Sequence, residues 1–246
     1  MARGYGQYCP LSLAAEVLAE RWTILVISRV MDGCYRFNEI HRGLPKMSAS
    51  LLSQRLRQLE TAGVLHAREE LGKPGYTYSL TQAGEDLRPL VENLAVWGQH
   101  WARDLTQADL DPRFLLWSMH LRLDVEKMPP GRTVLEFEFA NAPADCRRFW
   151  IVNDAGKVEM CLSHPGFDVD LSLHADLLLF VETWRGFRDL RSEIRRGAIK
   201  LTGPTKLKRA FPSWLMLSSL SPFQRKRPGK ERSLAQRRQK QRNRHV

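Results

Sequence analysis

Between Ser48 and Glu60 the chain sets out Ser48, Ser50, Ser53, Gln54 and Arg57, polar side chains that a helix would gather around one exposed surface. Their chemistry is recognition rather than bond making. A serine hydroxyl or glutamine carboxamide can read a base edge, and an arginine can grip a phosphate or the major-groove edge of guanine. Two further cations, Arg68 and Lys73, follow closely. Cys9 could do thiol chemistry if a helix N-terminus or a cation stabilised its thiolate; otherwise it is a small apolar side chain for packing. Signs of catalysis are missing. There is no glycine-rich phosphate loop, no Gly-x-Ser-x-Gly elbow and no His-Glu-x-x-His, and the seven histidines have no metal-ligand spacing. Asp168 and Asp170 alternate along one segment, which is the pattern of a wetted strand face. No catalytic residue, metal or cofactor is therefore expected, and the chain reads as a binding protein rather than an enzyme.

The elements that must position these residues are legible in the spacing. Ser12 is expected to cap a first helix to about Glu20, with Leu13, Val17 and Leu18 at helical spacing. A second helix is expected from Trp22 to Met31, closed by Asp32-Gly33, and a short third from Arg36 to Leu44. Ser48 then caps a fourth helix, 48–62, whose Leu52, Leu56 and Leu59 recur at i, i+4 and i+7. A hairpin, 64–80, follows, with Leu71-Gly72-Lys73-Pro74-Gly75 at its tip. Thr81 caps a last helix from Gln82 to about Asp104. Its apolar residues Leu87, Leu90, Val91, Leu94, Val96, Trp97 and Trp101 exceed what so small a domain can cover; a homodimer is the economical expectation, and docking onto the C-terminal domain would also bury them. A short helix, a turn, a polar-faced helix and a hairpin make the plan of a winged helix-turn-helix, with double-stranded DNA as the expected partner.

Cys9-Pro10-Leu11, Arg21-Trp22-Thr23-Ile24-Leu25 and Arg36-Phe37-Asn38-Glu39-Ile40 open a longer pattern. It continues through the Ser-x-x-x-Leu-x-x-Arg-Leu-x-x-Leu-Glu-x-x-Gly run ending at Gly63, then Tyr78-Ser79-Leu80-Thr81 and Gly84. Over residues 8 to about 103 this resembles the HxlR family of bacterial winged-helix regulators, related to MarR. The resemblance implies a homodimer on operator DNA, with Ser48, Ser50, Ser53, Gln54 and Arg57 as base and phosphate contacts; Arg68 and Lys73 of the hairpin are cations placed to reach the DNA backbone or minor groove. The family often carries a lysine or arginine where this chain has Ser50, which implies a weaker or differently specified grip. Some members use a cysteine at the Cys9 position as an oxidation sensor, so Cys9 is the redox candidate.

Beyond Asp111-Pro112, a helix N-cap and first-turn pair, the periodicity changes. Leu135, Phe137 and Phe139 alternate with polar neighbours, and 149–153, 157–162 and 168–174 also read as strands, expected to form an antiparallel sheet with one face covered. Helices are expected over 175–185, 187–196 and 204–218, with a short strand at 198–201, giving an α+β layer. This stretch is similar to the sterol carrier protein-like fold. That resemblance implies an apolar cavity for a lipid-like or other apolar effector; Phe137, Phe139, Trp150, Leu171, Leu173, Phe180, Trp184, Phe211, Trp214 and Leu215 are placed near it, and the other reading of these large apolar side chains is plain core. A lipid carrier or partner-binding module localised by its DNA-binding half is the other expectation.

The net charge is +11, but Gln224–Val246 holds ten Lys or Arg against the single acid Glu231. That stretch carries +9, leaving +2 for everything before it. The chain therefore reads as a DNA-binding domain over 1–105, a ligand-binding domain over 106–222 and a basic disordered tail over 223–246, able either to add salt-sensitive attraction to phosphates or to stay solvated with no specific role. Hydrophobic content of 43% supports real cores. With no membrane-length apolar run, no cationic leader and four widely spaced cysteines, the expected compartment is the reducing cytoplasm.

Overall fold

The computed structural model describes residues 4–70, 72 and 74–227. It parts into two compact units, Met1–Leu94 and Ala95–Val246. The first opens with α1 (Pro10–Leu18), α2 (Thr23–Met31), α3 (Phe37–Arg42) and α4 (Ala49–Thr61). A two-stranded sheet follows, β1 (Leu65–Glu69) against β2 (Tyr76–Leu80), antiparallel with Leu65 opposite Leu80. Ser48 caps α4 as its position suggests, its hydroxyl accepting from the Leu51 N–H at 3.3 Å. Leu52, Leu56 and Leu59 are buried together with Val26, Ile27 and Ile40. At the far end Gly63 takes φ +70, which lets its N–H and that of Val64 return to Glu60 and Leu59. This paired closure is the Schellman arrangement and needs a left-handed residue.

Thr81 locks the hairpin to that closure. Its hydroxyl donates to the Gly63 carbonyl at 2.6 Å and accepts from the Gly84 N–H at 3.1 Å. Gly84 sits so close beneath the chain that a Cβ there would lie 2.3 Å from the Val64 carbonyl oxygen. The Thr-x-x-Gly spacing is thus a packing requirement.

Two sequence expectations in this unit need correcting. The first helix starts at Pro10, not after Ser12; the Ser12 hydroxyl donates instead to Gln7 at 2.7 Å. Moreover α1 buries no residue and leaves Leu13 51% exposed, so its apolar spacing does not mark a core stripe in a single chain. The long helix expected after Thr81 is two helices, α5 (Gln82–Asp86) and α6 (Arg88–Trp101), the second of which begins in the first unit and ends in the second. Pro89 explains the break: it has no N–H for the Glu85 carbonyl and its ring crowds it.

The second unit holds α7 (Pro112–His120), capped by the Asp111 carboxylate, then β3 (Arg132–Ala140), β4 (Arg148–Asp154) and β5 (Lys157–Cys161). It continues through β6 (Leu171–Asp176), α8 (Leu177–Trp184), α9 (Leu190–Arg195), β7 (Ile199–Thr202) and α10 (Thr205–Trp214). The strands form one sheet in the order β5-β4-β3-β6-β7. The sheet is mixed, not antiparallel as expected: β6 runs parallel to β3, pairing Leu135 with Leu171 and Phe139 with Ala175. After β5 the chain crosses the sheet through 162–170 before β6, and such a crossover delivers a strand in the same direction as its neighbour.

One face of the sheet carries the core. Phe137, Phe139, Phe149, Ile151, Leu171 and Leu173 meet side chains from all four helices, α7 to α10. The opposite face buries a smaller set, Val134, Trp150 and Val152, against which Val169 of the crossover packs. The expectation of one covered face and one wet face therefore holds only outside this patch. Residues 223–227, expected to begin a free tail, are held. Arg225 pairs with Asp104 at 2.5 Å, and the backbone N–H groups of Lys226 and Arg227 donate to the His100 carbonyl. The rest of the basic segment, 228–246, lies outside the described residues.

Candidate nucleic-acid interface

The helix α4 divides its surface sharply. Leu52, Leu56 and Leu59 are at most 1% exposed and mark its inner side; Ser48, Ser50, Gln54 and Arg57 are exposed, and Ser53 is half-buried. The Ser48 and Ser50 hydroxyls lie 3.2 Å apart at the N-terminus of the helix, where free N–H groups favour anions. Arg57 and, on β1, Arg68 are exposed and enter no ion pair among the described residues. Lys73 lies outside the described residues. An exposed cation without a carboxylate partner keeps its full attraction for a phosphate, which an ion-paired one does not.

The wing is tied back to α3. The Tyr78 N–H donates to the Tyr35 carbonyl at 2.7 Å, Arg36 bridges to Thr77, and the Arg36 guanidinium pairs with Glu70. These links hold β2 against the start of α3, so the hairpin is not a free arm.

One buried, bonded residue of α4 escaped the sequence reading. Arg55 is 7% exposed on the same helix. Its Nε donates to the Arg21 carbonyl at 3.0 Å, Nη1 to Gln58 Oε1 at 2.5 Å and Nη2 to Glu20 Oε2 at 2.8 Å. Gln58, which the helical wheel puts on the outer face, is thereby engaged. The signal was available: 52, 55, 56 and 59 share one helical face, so an arginine at 55 lies on the buried stripe and must find partners. A groove of about 400 Å³ lies beside this link, lined by Glu16, Val17 and Glu20 on one side and Gln54, Arg57 and Gln58 on the other.

The four cysteines are free thiols. Cys9 is exposed and occupies the N-cap of α1. Its sulfur forms no regular capping hydrogen bond, yet the N–H groups of Ser12 and then Leu11 favour the thiolate and draw its pKa below the ordinary value. Cys34 is the opposite case, 5% exposed, with burial pushing its thiol up to about 11.

In the second unit, nine of the ten residues expected around an apolar cavity belong to one buried cluster. Phe139 lies 5.1 Å from Phe180 and Phe137 6.5 Å from Phe211, centroid to centroid. Trp150 does not join them. Odd and even positions of β4 face opposite ways, so Phe149 and Ile151 enter the core while Trp150 stands on the other face, 5.4 Å from the His164 ring. The indole N–H groups of Trp150 and Trp214 are buried and find no partner among the described residues. Among the described residues no three His, Cys, Asp or Glu side chains gather as a metal site, and no helix is long and apolar enough to cross a membrane.

Comparison with known proteins bears on the first unit and the start of the second. The HxlR-like helix-turn-helix family model matches residues 17–106. The HTH-type transcriptional regulator YvaP of Bacillus subtilis is 33% identical over 111 residues, 44% of this chain and 95% of YvaP. YodB, another HTH-type transcriptional regulator of Bacillus subtilis, is 30% identical over 95 residues, 38% of this chain and 85% of its own. Among solved structures, the redox regulator HypR in its oxidized form is 33% identical, with 39% of this chain and all of HypR covered and a TM-score of 0.37. A buried leucine stripe beneath an uncovered polar face, a tethered wing and near-complete coverage of YvaP agree: the chain belongs to the HxlR-like helix-turn-helix family of transcriptional regulators.

Proposed function

We propose that this chain is a homodimeric regulator that binds operator DNA through the helix 48–62 and the wing 64–80. The observation that carries the reading is the outer face of α4, where Ser48, Ser50, Gln54 and Arg57 stand uncovered on a helix anchored by its leucines. Ser50 and Gln54 would read bases, while Arg57, Arg68 and Lys73 would take phosphates or guanine. The homodimer is supported by Leu90, Leu94, Trp97 and Trp101 along α6, each at least 43% exposed, and by an α1 that buries nothing. Exposed apolar stripes of this kind mark interaction surfaces. Selection of bound duplexes from a random-sequence library, followed by footprinting upstream of the chain's own gene, tests the reading. A two-fold symmetric protected site is the expected result, and the absence of any enriched duplex refutes it.

The 106–222 domain is proposed to have a sterol carrier protein-like fold and to hold a lipid-like or other apolar effector that shifts the spacing of the paired reading helices. The unpartnered Trp214 indole N–H within an aromatic core supports it, as a donor that an acceptor on such a molecule could satisfy. Native mass spectrometry of the purified chain should then reveal a co-purified ligand, and loss of that ligand should change DNA affinity. A second reading rests on Cys9, which is exposed at a helix N-cap with a thiolate-favouring setting. In it, oxidation of Cys9 alters DNA binding, and Cys9→Ser removes any response to diamide.

A further inference from the structure

We propose that Arg55 is the positioning residue of the DNA-reading helix, clamping α4 to the junction between α1 and α2 so that the orientation of the reading face depends on that junction. The inference rests on the DNA-binding reading above and adds a residue that faces away from DNA. Three bonds from one guanidinium define it. Two go to the junction, to the Arg21 carbonyl at 3.0 Å and the Glu20 carboxylate at 2.8 Å, and one returns along α4 to Gln58 at 2.5 Å. Only the planar, five-donor fork of arginine can serve three acceptors in these directions; a lysine ammonium is a compact point charge on a flexible stem.

The junction itself is held in an uncommon state. Trp22, the residue after Arg21, takes φ +78, and the Arg21 guanidinium lies 5.5 Å from its ring centroid. A left-handed tryptophan persists only where its surroundings hold it, and Arg55 supplies part of that hold by fixing the carbonyl that precedes it. α1 buries no residue of its own, and this junction is where it joins α2, whose Thr23, Val26, Ile27 and Val30 are buried. Gln54 and Arg57, one and two positions from Arg55, line the α1-facing groove and are exposed. A rotation of α4 released by loss of the clamp would therefore move the residues that read DNA. Energetic coupling carried by such a link is modest and best exposed by a double-mutant cycle.

The test uses the full chain and a duplex recovered by selection from a random library, with a scrambled duplex of equal length as the non-specific control. Affinities are measured by fluorescence anisotropy from 50 to 200 mM KCl. Arg55→Lys should weaken the selected duplex about tenfold while leaving scrambled-duplex affinity and the salt slope unchanged, because Arg55 touches no phosphate. Glu20→Gln should cost about threefold, and the double variant no more than Arg55→Lys alone, because both break one link. A purely structural arginine would lower the melting temperature without changing the selected-to-scrambled ratio, and that result overturns the proposal. So do a reduced salt slope in Arg55→Lys, and fully additive losses. If Arg55→Lys fails to fold by circular dichroism, Glu20→Gln decides alone, since its carboxylate is 42% exposed, and an unchanged ratio refutes the clamp. If the wild-type chain enriches no duplex, the DNA-binding reading falls and the clamp with it; a wild type that binds selectively beside unaffected variants overturns the clamp only.

Discussion

Alkylation of the full chain by iodoacetamide at pH 8 should separate Cys9 from Cys34, and the size of the separation follows from their surroundings. Burial lifts Cys34 to about 11, so about one molecule in a thousand carries its thiolate at pH 8. Cys9 lies below the ordinary 9.0, so more than about one in ten does, a ratio of at least about a hundred. A more basic thiolate is intrinsically the better nucleophile, which returns about a factor of ten to Cys34 over two pKa units. The net expectation is a Cys9 rate at least about ten times that of Cys34, before the 5% exposure of Cys34 adds the requirement of local opening. Peptide mass spectrometry of timed samples reads each site separately. The Cys9 rate should reach half its plateau below pH 9, whereas that of Cys34 should keep climbing about tenfold per pH unit to about pH 10. Stability gives the same sign: an acid whose folded pKa is raised loses its proton first in the unfolded chain, so Cys34 lowers stability from about pH 9 to pH 11. Equal rates at the two cysteines, or a Cys9 midpoint above 9, would refute the assignment of environments.

Three further outcomes follow from the same structure. Arg57→Gln should lower the slope of log affinity against log salt by about 0.9 on any duplex, read by anisotropy; an unchanged slope removes Arg57 from the phosphate contacts. Gly84→Ala forces a Cβ to within 2.3 Å of the Val64 carbonyl oxygen and should cost about 1–3 kcal/mol in urea unfolding, with a neutral result showing that the hairpin and α5 are not packed as described. Gln99, 2% exposed, donates to the carbonyls of Arg185, Leu220 and Phe223 and accepts from the Arg185 guanidinium. Gln99→Leu should therefore destabilise the second unit by on the order of 1–3 kcal/mol, followed by tryptophan fluorescence in urea, and an unshifted midpoint would mean that these groups find water instead.

Much of the candidate interface was legible in the sequence because its rules are local. Ser48 followed by leucines at 52, 56 and 59, with Gly63 beyond, specifies where α4 starts, which way it faces and where it stops. The outer face follows as the remainder. The alternation in 135–139 likewise announces β3, and Asp111-Pro112 announces α7. The break before α6 was equally local, since Pro89 states it, but the surrounding leucines and tryptophans drew the reading toward one continuous helix. Arg55 was a milder oversight of the same kind: its position on the stripe is visible, and the partners that make burial tolerable are not.

What the sequence determined by itself is thus most of the elements, the polar face of α4 and the family to which the chain belongs. Tertiary structure decided the rest. The parallel pairing of β6 with β3 depends on the path of the 162–170 crossover, and the separation of Trp150 from the aromatic core depends on which face of β4 the helices cover. The exposure of α1 depends on what is left for it to pack against, and the capture of Arg55 by Glu20 and Arg21 brings together residues about thirty-five positions apart. Periodicity records which side chains share a face, because backbone geometry repeats over a few residues. It carries no record of what that face will meet, because burial is settled by elements distant in the chain.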